Sequence, residues 1–176
     1  MAARRRGHAG LPRQERMRIL GIDPGSLVTG FGVIDHVKGK LTLVEQGCIR
    51  SGRAEALPER LRRIYDALGV VIRATSPAVV AIEAPFHGLN SKSLIQLSHA
   101  RGVAILAAQT AGLEIFEYSP RTVKSAVVGY GAAEKQQVGK MVRLLIGNGS
   151  ETFTADAADA LAVAICHAHS RRLTIR

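Results

Sequence analysis

Cysteine is scarce in this chain. Cys48 and Cys166 lie far apart and in no C-x-x-C pattern, so the expectation is a reducing, cytoplasmic compartment. Long apolar runs are missing as well. No stretch of about 18 uncharged apolar residues exists, which speaks against a membrane span. The arginine-rich N-terminus has no apolar core of the kind a secretory signal needs. Acids are the minority sign, with 14 Asp and Glu against 24 Lys and Arg and a formal net charge of +10. That surplus points to a polyanionic partner, nucleic acid first, although a merely soluble basic protein can show the same balance. What remains is ample for folding. The chain is 47% hydrophobic and only 22% charged, which excludes disorder. Its 176 residues make one domain with a real core, too small for two lobes around a cleft.

The charge is unevenly placed. Residues 1–16 (MAARRRGHAGLPRQER) carry +4 and the other 160 carry +6. The first segment has no apolar periodicity and reads as a flexible basic arm ahead of a domain spanning 17–176. Met17 opens MRILGID, which looks like an ordinary protein start. The arm is therefore either a nucleic-acid-binding extension or lies upstream of the true start. N-terminal sequencing of the native protein separates the two, and finding Met1 or Ala2 excludes the second.

After Met17 the pattern is regular. RILGID (18–23) is a short apolar run ending in an acid before Pro24-Gly25-Ser26, a strand entering a turn. Residues 28–37 and 41–49 are β-rich and flank Lys38-Gly39-Lys40, a hairpin signal. Leu57, Leu61, Ile64, Leu68 and Ile72 fall at helical spacing, with Pro58 in the first turn and Pro77 as the stop. VVAIE (79–83) has the composition of a strand buried on both faces. A helix over 92–110 is rich in small residues, Ala100, Gly102, Ala104, Ala107 and Ala108. These offer either a dimer contact or close packing within the chain. A strand at 113–118 follows, then a helix opened by Ser119-Pro120. Another helix carries Val138, Met141, Val142 and Leu145, and the last spans about 155–169. The order βββ-α-β-α-β-α-α-α predicts one α/β domain, a mixed sheet with helices on both faces.

Four acids stand where acids are costly. Asp23 and Glu83 end apolar strands, at the C-terminal strand ends where open α/β sheets commonly place their sites. Asp156 and Asp159 sit in TADAADALAVAI, three apart and so on one side of a helix otherwise apolar. Ionised carboxylates beside a core need a counter-charge. Four hard oxygen donors with no zinc-spaced His or Cys suit Mg²⁺ or Mn²⁺. A pair of such ions is the usual apparatus for phosphodiester displacement. Each acid also has a plainer reading: a turn aspartate for Asp23, an arginine partner for Glu83, a helix-start acid for Asp156. Glu117, in IFEYS, is a fifth candidate that strand alternation can point outward. His167 and His169, at i and i+2, do not share a helix face and read as ordinary helix-end histidines, and Cys166 reads as packing.

Five segments carry a resemblance. GIDPGSLVTGFGVI, AIEAPF, ARGVAILAA, FEYSPRTVKSAVVGYGAAEKQQVGKMV and ADAADALAVAICHAH, in that order from about Met17 to His169, resemble the RuvC family of Holliday-junction resolvases. The resemblance implies an RNase H-like, retroviral-integrase-type fold. It implies a homodimeric, structure-selective endonuclease that resolves four-way junction DNA in recombination and repair by paired symmetric nicks. The family's four carboxylates match Asp23, Glu83, Asp156 and Asp159. They would hold two Mg²⁺ or Mn²⁺ ions, with Asp23 bridging, Glu83 on one side and Asp156 and Asp159 on the other. Two family lysines near the scissile phosphate match Lys124, with a catalytic part, and Lys135. Phe86 matches an aromatic that meets DNA near the junction centre, though Pro85, His87 and Gly88 depart from the pattern around it. A branch-migration complex of the RuvA-RuvB type is the implied partner. The arm has no counterpart in the family.

Two rival readings belong to other classes. GIDPGS also resembles the phosphate loop of actin-like ATPases and sugar kinases, which need two lobes and a second phosphate motif that this length does not supply. The second rival is a catalytically silent junction-binding protein or an RNA-directed relative of the same fold; loss of an acid would favour it, and all four are present.

Overall fold

Lys38 and Gly39 both adopt positive φ, 46° and 86°, as a two-residue hairpin turn of the primed type requires. They join β2 (Val28–Val37) to β3 (Lys40–Arg50), and β1 (Arg16–Asp23) pairs antiparallel with β2 on its other side. The computed structural model describes residues 16–85, 91–147 and 152–170. The first strand opens at Arg16, opposite Val37, so the last residue of the expected arm belongs to the sheet. Residues 1–15 lie outside the described residues.

The remaining elements are α1 (Leu57–Thr75), β4 (Val79–Glu83), α2 (Ser91–Thr110), β5 (Glu114–Tyr118), α3 (Pro120–Val128), α4 (Lys135–Ile146) and α5 (Ala155–Ser170). Their ends follow local chemistry. At the start of α1, Glu59 reaches back to accept the Ala56 amide, and the helix stops at Ser76 in the left-handed region, just before Pro77. Ser119 caps α3 by accepting the Thr122 amide, with Pro120 in its first turn.

The five strands run in the order β3-β2-β1-β4-β5. The first three are antiparallel, while β4 and β5 are parallel to β1. Alternation along each strand sorts side chains into two cores. Ile19, Ile34, Val79 and Ala81 meet α3, α4 and α5, whereas Leu20, Ile22, Val33, Val80 and Ile82 meet α1 and α2. The expected mixed sheet with helices on both faces is thus present.

Helix α5 lies unusually close to the sheet, and three glycines make that possible. A Cβ on Gly21 would stand 2.1 Å from the Ala160 carbonyl oxygen, one on Gly30 2.0 Å from that of Asp156, and one on Gly32 2.5 Å from the Leu161 side chain. In α2, Ala100, Ala104, Ala107 and Ala108 are buried in the core beside α1. The small-residue face therefore serves packing within the chain, and only Gly102 of the five looks outward.

Candidate active site

The same alternation that builds the two cores decides which acids meet. On β1, Asp23 shares its parity with Ile19 and Gly21; on β4, Glu83 shares its parity with Val79 and Ala81. Both carboxylates therefore leave the sheet on the side covered by α5. Because Ile22 pairs with Ile82 in the parallel register, the two acids end neighbouring strands at the same level. On β5, Phe116 and Tyr118 face α5, so Glu117 falls on the opposite side. There it is 52% exposed and ion-paired with Arg101 of α2. Glu117 is no part of the cluster.

Behind Asp23 the chain turns through Pro24–Leu27. Thr29, fully buried, shapes that turn: its hydroxyl donates to the Gly25 carbonyl at 2.8 Å and accepts the Gly25 amide at 3.3 Å. From above, α5 supplies Asp159. The first residue of α4, Lys135, places Nζ 2.8 Å from Asp159 Oδ2. Lys124, on α3, is close enough for its charge to be felt at Glu83.

Electrostatically the cluster is short of cations. Burial pushes the Asp23 carboxyl up to about 8, helped by the charge of Glu83, by a hydrogen bond to Glu83 and by the charge of Asp159, with Lys135 opposing. Burial likewise raises Glu83, against its hydrogen bond with Asp23. The two carboxyls, buried side by side, are thus both pushed toward the protonated form. Lys135 is held above the usual lysine range, first by its bond to Asp159.

Asp156 stands apart, one turn earlier on α5. Its Oδ2 lies 4.0 Å from Cys48 Sγ, whose closer neighbour is Thr154 Oγ1 at 2.9 Å. Thr154 also caps α5, accepting the Ala157 amide. Neither Cys48 nor Thr154 stood out in the sequence; a thiol on a strand becomes notable only once α5 is laid over it. Signals for the close approach of α5 were present in Gly21, Gly30 and Gly32, since glycine inside a strand marks a site where another backbone comes near. Phe86 lies outside the described residues. His167 is buried, accepting or donating through Nδ1 to the Tyr118 hydroxyl at 2.8 Å, and His169 meets the Ala126 carbonyl. Both serve packing of α5, as does Cys166, whose thiol burial pushes up to about 11.

Chemically, the donor set is all carboxylate, hard oxygens suited to a divalent cation. Among the described residues, no three acid, histidine or cysteine side chains are drawn together as a closed metal cage. Asp159 instead holds the Lys135 ammonium, and burial favours the protonated forms of Asp23 and Glu83. With Asp23 and Glu83 ionised and Lys135 displaced, the carboxylates would suit such an ion. Lys135 and Lys124 stand at the rim of the cluster.

Comparisons with known proteins converge. A family model described as "Crossover junction endodeoxyribonuclease RuvC" matches residues 19–167. A crossover junction endodeoxyribonuclease RuvC of Syntrophotalea carbinolica is 50% identical over 153 residues, 87% of this chain and 94% of that protein. Among solved structures, Thermus thermophilus RuvC in complex with Holliday junction substrate superposes with a TM-score of 0.83 at 34% identity, covering 89% of this chain and 96% of that one. The yeast mitochondrial Holliday junction resolvase Ydc2, 14% identical, shares the fold with a TM-score of 0.64 over 89% of this chain and 79% of its own.

Proposed function

The chain belongs to the RuvC family of crossover junction endodeoxyribonucleases, and from that premise we propose that it resolves four-way DNA junctions by paired, symmetric hydrolysis of phosphodiesters. The observation that carries this reading is the gathering of Asp23, Glu83 and Asp159, with Lys135 and Lys124, at one end of the sheet. Asp23, Glu83, Asp156 and Asp159 would hold two Mg²⁺ or Mn²⁺ ions, which supply an activated water and charge for the leaving 3′-oxygen.

The chain's own residues do the rest. Asp23 and Glu83 would have to be ionised to serve as ligands, against the upward push of burial on both. Lys124 and Lys135 pair with the phosphate and hold it against the acids. Hydrolysis breaks the bond between phosphorus and the 3′-oxygen, leaving 5′-phosphate and 3′-hydroxyl ends. Phe86, in the segment after Glu83, stacks on a base at the junction centre. The arginines of the N-terminal arm add phosphate contacts.

A four-way junction has approximate two-fold symmetry, and an isologous dimer places one site on each of two opposed strands. The outer face of α2 suits that contact. Ile95 and Leu106 are 56% and 55% exposed there, with Gly102 between them. A branch-migration complex of the RuvA-RuvB type is the partner that would deliver the junction. The setting is the cytoplasm; among the described residues no helix is long and apolar enough to cross a membrane.

A labelled synthetic four-way junction with Mg²⁺ or Mn²⁺ tests the reading. Paired symmetric nicks are expected. Asp23→Asn should cut more than about a hundredfold more slowly, since changes behind metal ligands alone cost up to about that much, while still binding the junction. Equal cutting of linear duplex, or undiminished cutting by the variant, overturns the proposal.

A further inference from the structure

We propose that Lys135 is a built-in counter-cation of the acid cluster: it holds Asp159 in the free protein, yields it to a divalent ion, and is thereby released toward the substrate phosphate. The inference rests on the metal-site reading above and deepens it. Lys135 Nζ lies 2.8 Å from Asp159 Oδ2, so a divalent ion held by that carboxylate would compete with the ammonium for it. Its charge also reaches Asp23 and Glu83, so one ammonium serves three acids. Among the described residues, no other ion pair at 4 Å or less reaches these acids.

The geometry favours release over permanence. The Lys135 side chain is 80% exposed and the Asp159 side chain 24%, so the lysine reaches inward from solvent on a flexible stem. Ion pairs of that exposure are worth little, and a doubly charged ion outcompetes them. Lys135 is also the first residue of α4, where the positive end of the helix dipole disfavours a cation. Local sequence preference does not place a lysine there, whereas a task at Asp159 does. Lys124 differs: its charge is felt at Glu83, yet it makes no ion pair with the cluster and has nothing to yield.

Titration of Mn²⁺ into metal-free and DNA-free protein, followed by electron paramagnetic resonance of the free ion, tests this at a single pH and salt concentration. Lys135→Gln should bind Mn²⁺ about three- to tenfold more tightly than the parent chain, because a competing cation has gone. Lys135→Arg, which keeps the charge, should stay within about twofold, and Lys124→Gln should tighten less than Lys135→Gln. Lys135→Gln should cut junctions more slowly despite its fuller site, the opposite direction to its metal affinity. Thermal melts check that each variant folds, which the exposure of Lys135 favours. Unchanged or weaker Mn²⁺ binding by Lys135→Gln overturns the inference, and so does equal tightening by Lys124→Gln. Absence of Mn²⁺ binding in every protein, the parent included, overturns instead the metal-site reading beneath it.

Discussion

The two ends of strand β1 treat acids in opposite ways. At its N-terminal end, Arg18 faces Asp35 across the antiparallel pair. Its guanidinium binds that carboxylate through two nitrogens, at 2.8 and 3.0 Å, and donates to the Thr75 carbonyl at 2.6 Å. Arg16 adds a more distant charge at 3.8 Å. Those partners, the Arg18 hydrogen bond first, hold Asp35 below the usual carboxylate range. At the C-terminal end, Asp23 is pushed up to about 8 by burial and by the acids around it. One end is neutralised within the chain and ties β1, β2 and α1 together. The other has a single ammonium, Lys135, for three clustered acids. Acids left in that state inside a fold mark a site where function outweighs stability.

The largest break in this comparison comes from the backbone that sets the second end. Gly30→Ala places a Cβ 2.0 Å from the Asp156 carbonyl oxygen, so the first turn of α5 must lift from the sheet. Overpacking of that kind costs about 3 kcal/mol or more. Chemical denaturation should show the loss, and junction cutting should fall with it, since Asp156 and Asp159 ride on the displaced turn. A variant with parent stability and parent activity would show that α5 does not owe its place to this contact.

The next test uses pH, where the ends should give slopes of opposite sign. Asp23 binds its proton more tightly when folded, so its contribution is complete below about pH 4 and is lost as pH rises through about 8. Asp35 binds its proton less tightly when folded, so its contribution is present above about pH 4 and is lost as pH falls below that. Melting of metal-free protein between pH 5 and 9 reports the first slope alone. Asp23→Asn should lose less stability on the alkaline side, melting several degrees above the parent chain at pH 9 and by a smaller margin at pH 5, with Glu83, also raised by burial, keeping part of the loss. Parallel curves would remove the electrostatic half of the contrast.

Much of this was legible beforehand because it follows from local pattern. Alternation in RILGID, VVAIE and LEIFEY places the strands, and the same alternation separates Glu117 from Glu83. Asp23, Glu83 and Asp159 are conspicuous since each interrupts an apolar run. Other features depend on tertiary approach and carry little one-dimensional signal. The Lys135–Asp159 pair joins helices 24 residues apart, and Asp156 meets Cys48 only because α5 crosses β3. Periodicity showed that α2 has small residues but not which side they serve; that side proved to be the core. Arg16 joins β1 through backbone pairing with Val37, a contact to which its charged side chain gave no clue.

The smallest expected effect separates arginine from lysine as counter-ions. Arg18→Lys keeps a positive charge opposite Asp35 but loses the planar fork that grips both carboxylate oxygens and the Thr75 carbonyl together. A loss of about 1 kcal/mol is expected, lowering the melting temperature by about 2–4 °C in a chain of this size, with junction cutting below that temperature unchanged. The reverse exchange at the other end, Lys135→Arg, leaves a charge that already works singly and from solvent. The asymmetry follows from what each end requires. A permanent neutralisation gains from a rigid, many-donor group whose partners never leave. A replaceable one gains from a single ammonium on a long stem, which an arriving ion can dislodge without breaking a second bond. Equal tolerance of the two exchanges would mean that both ends hold their acids by charge alone.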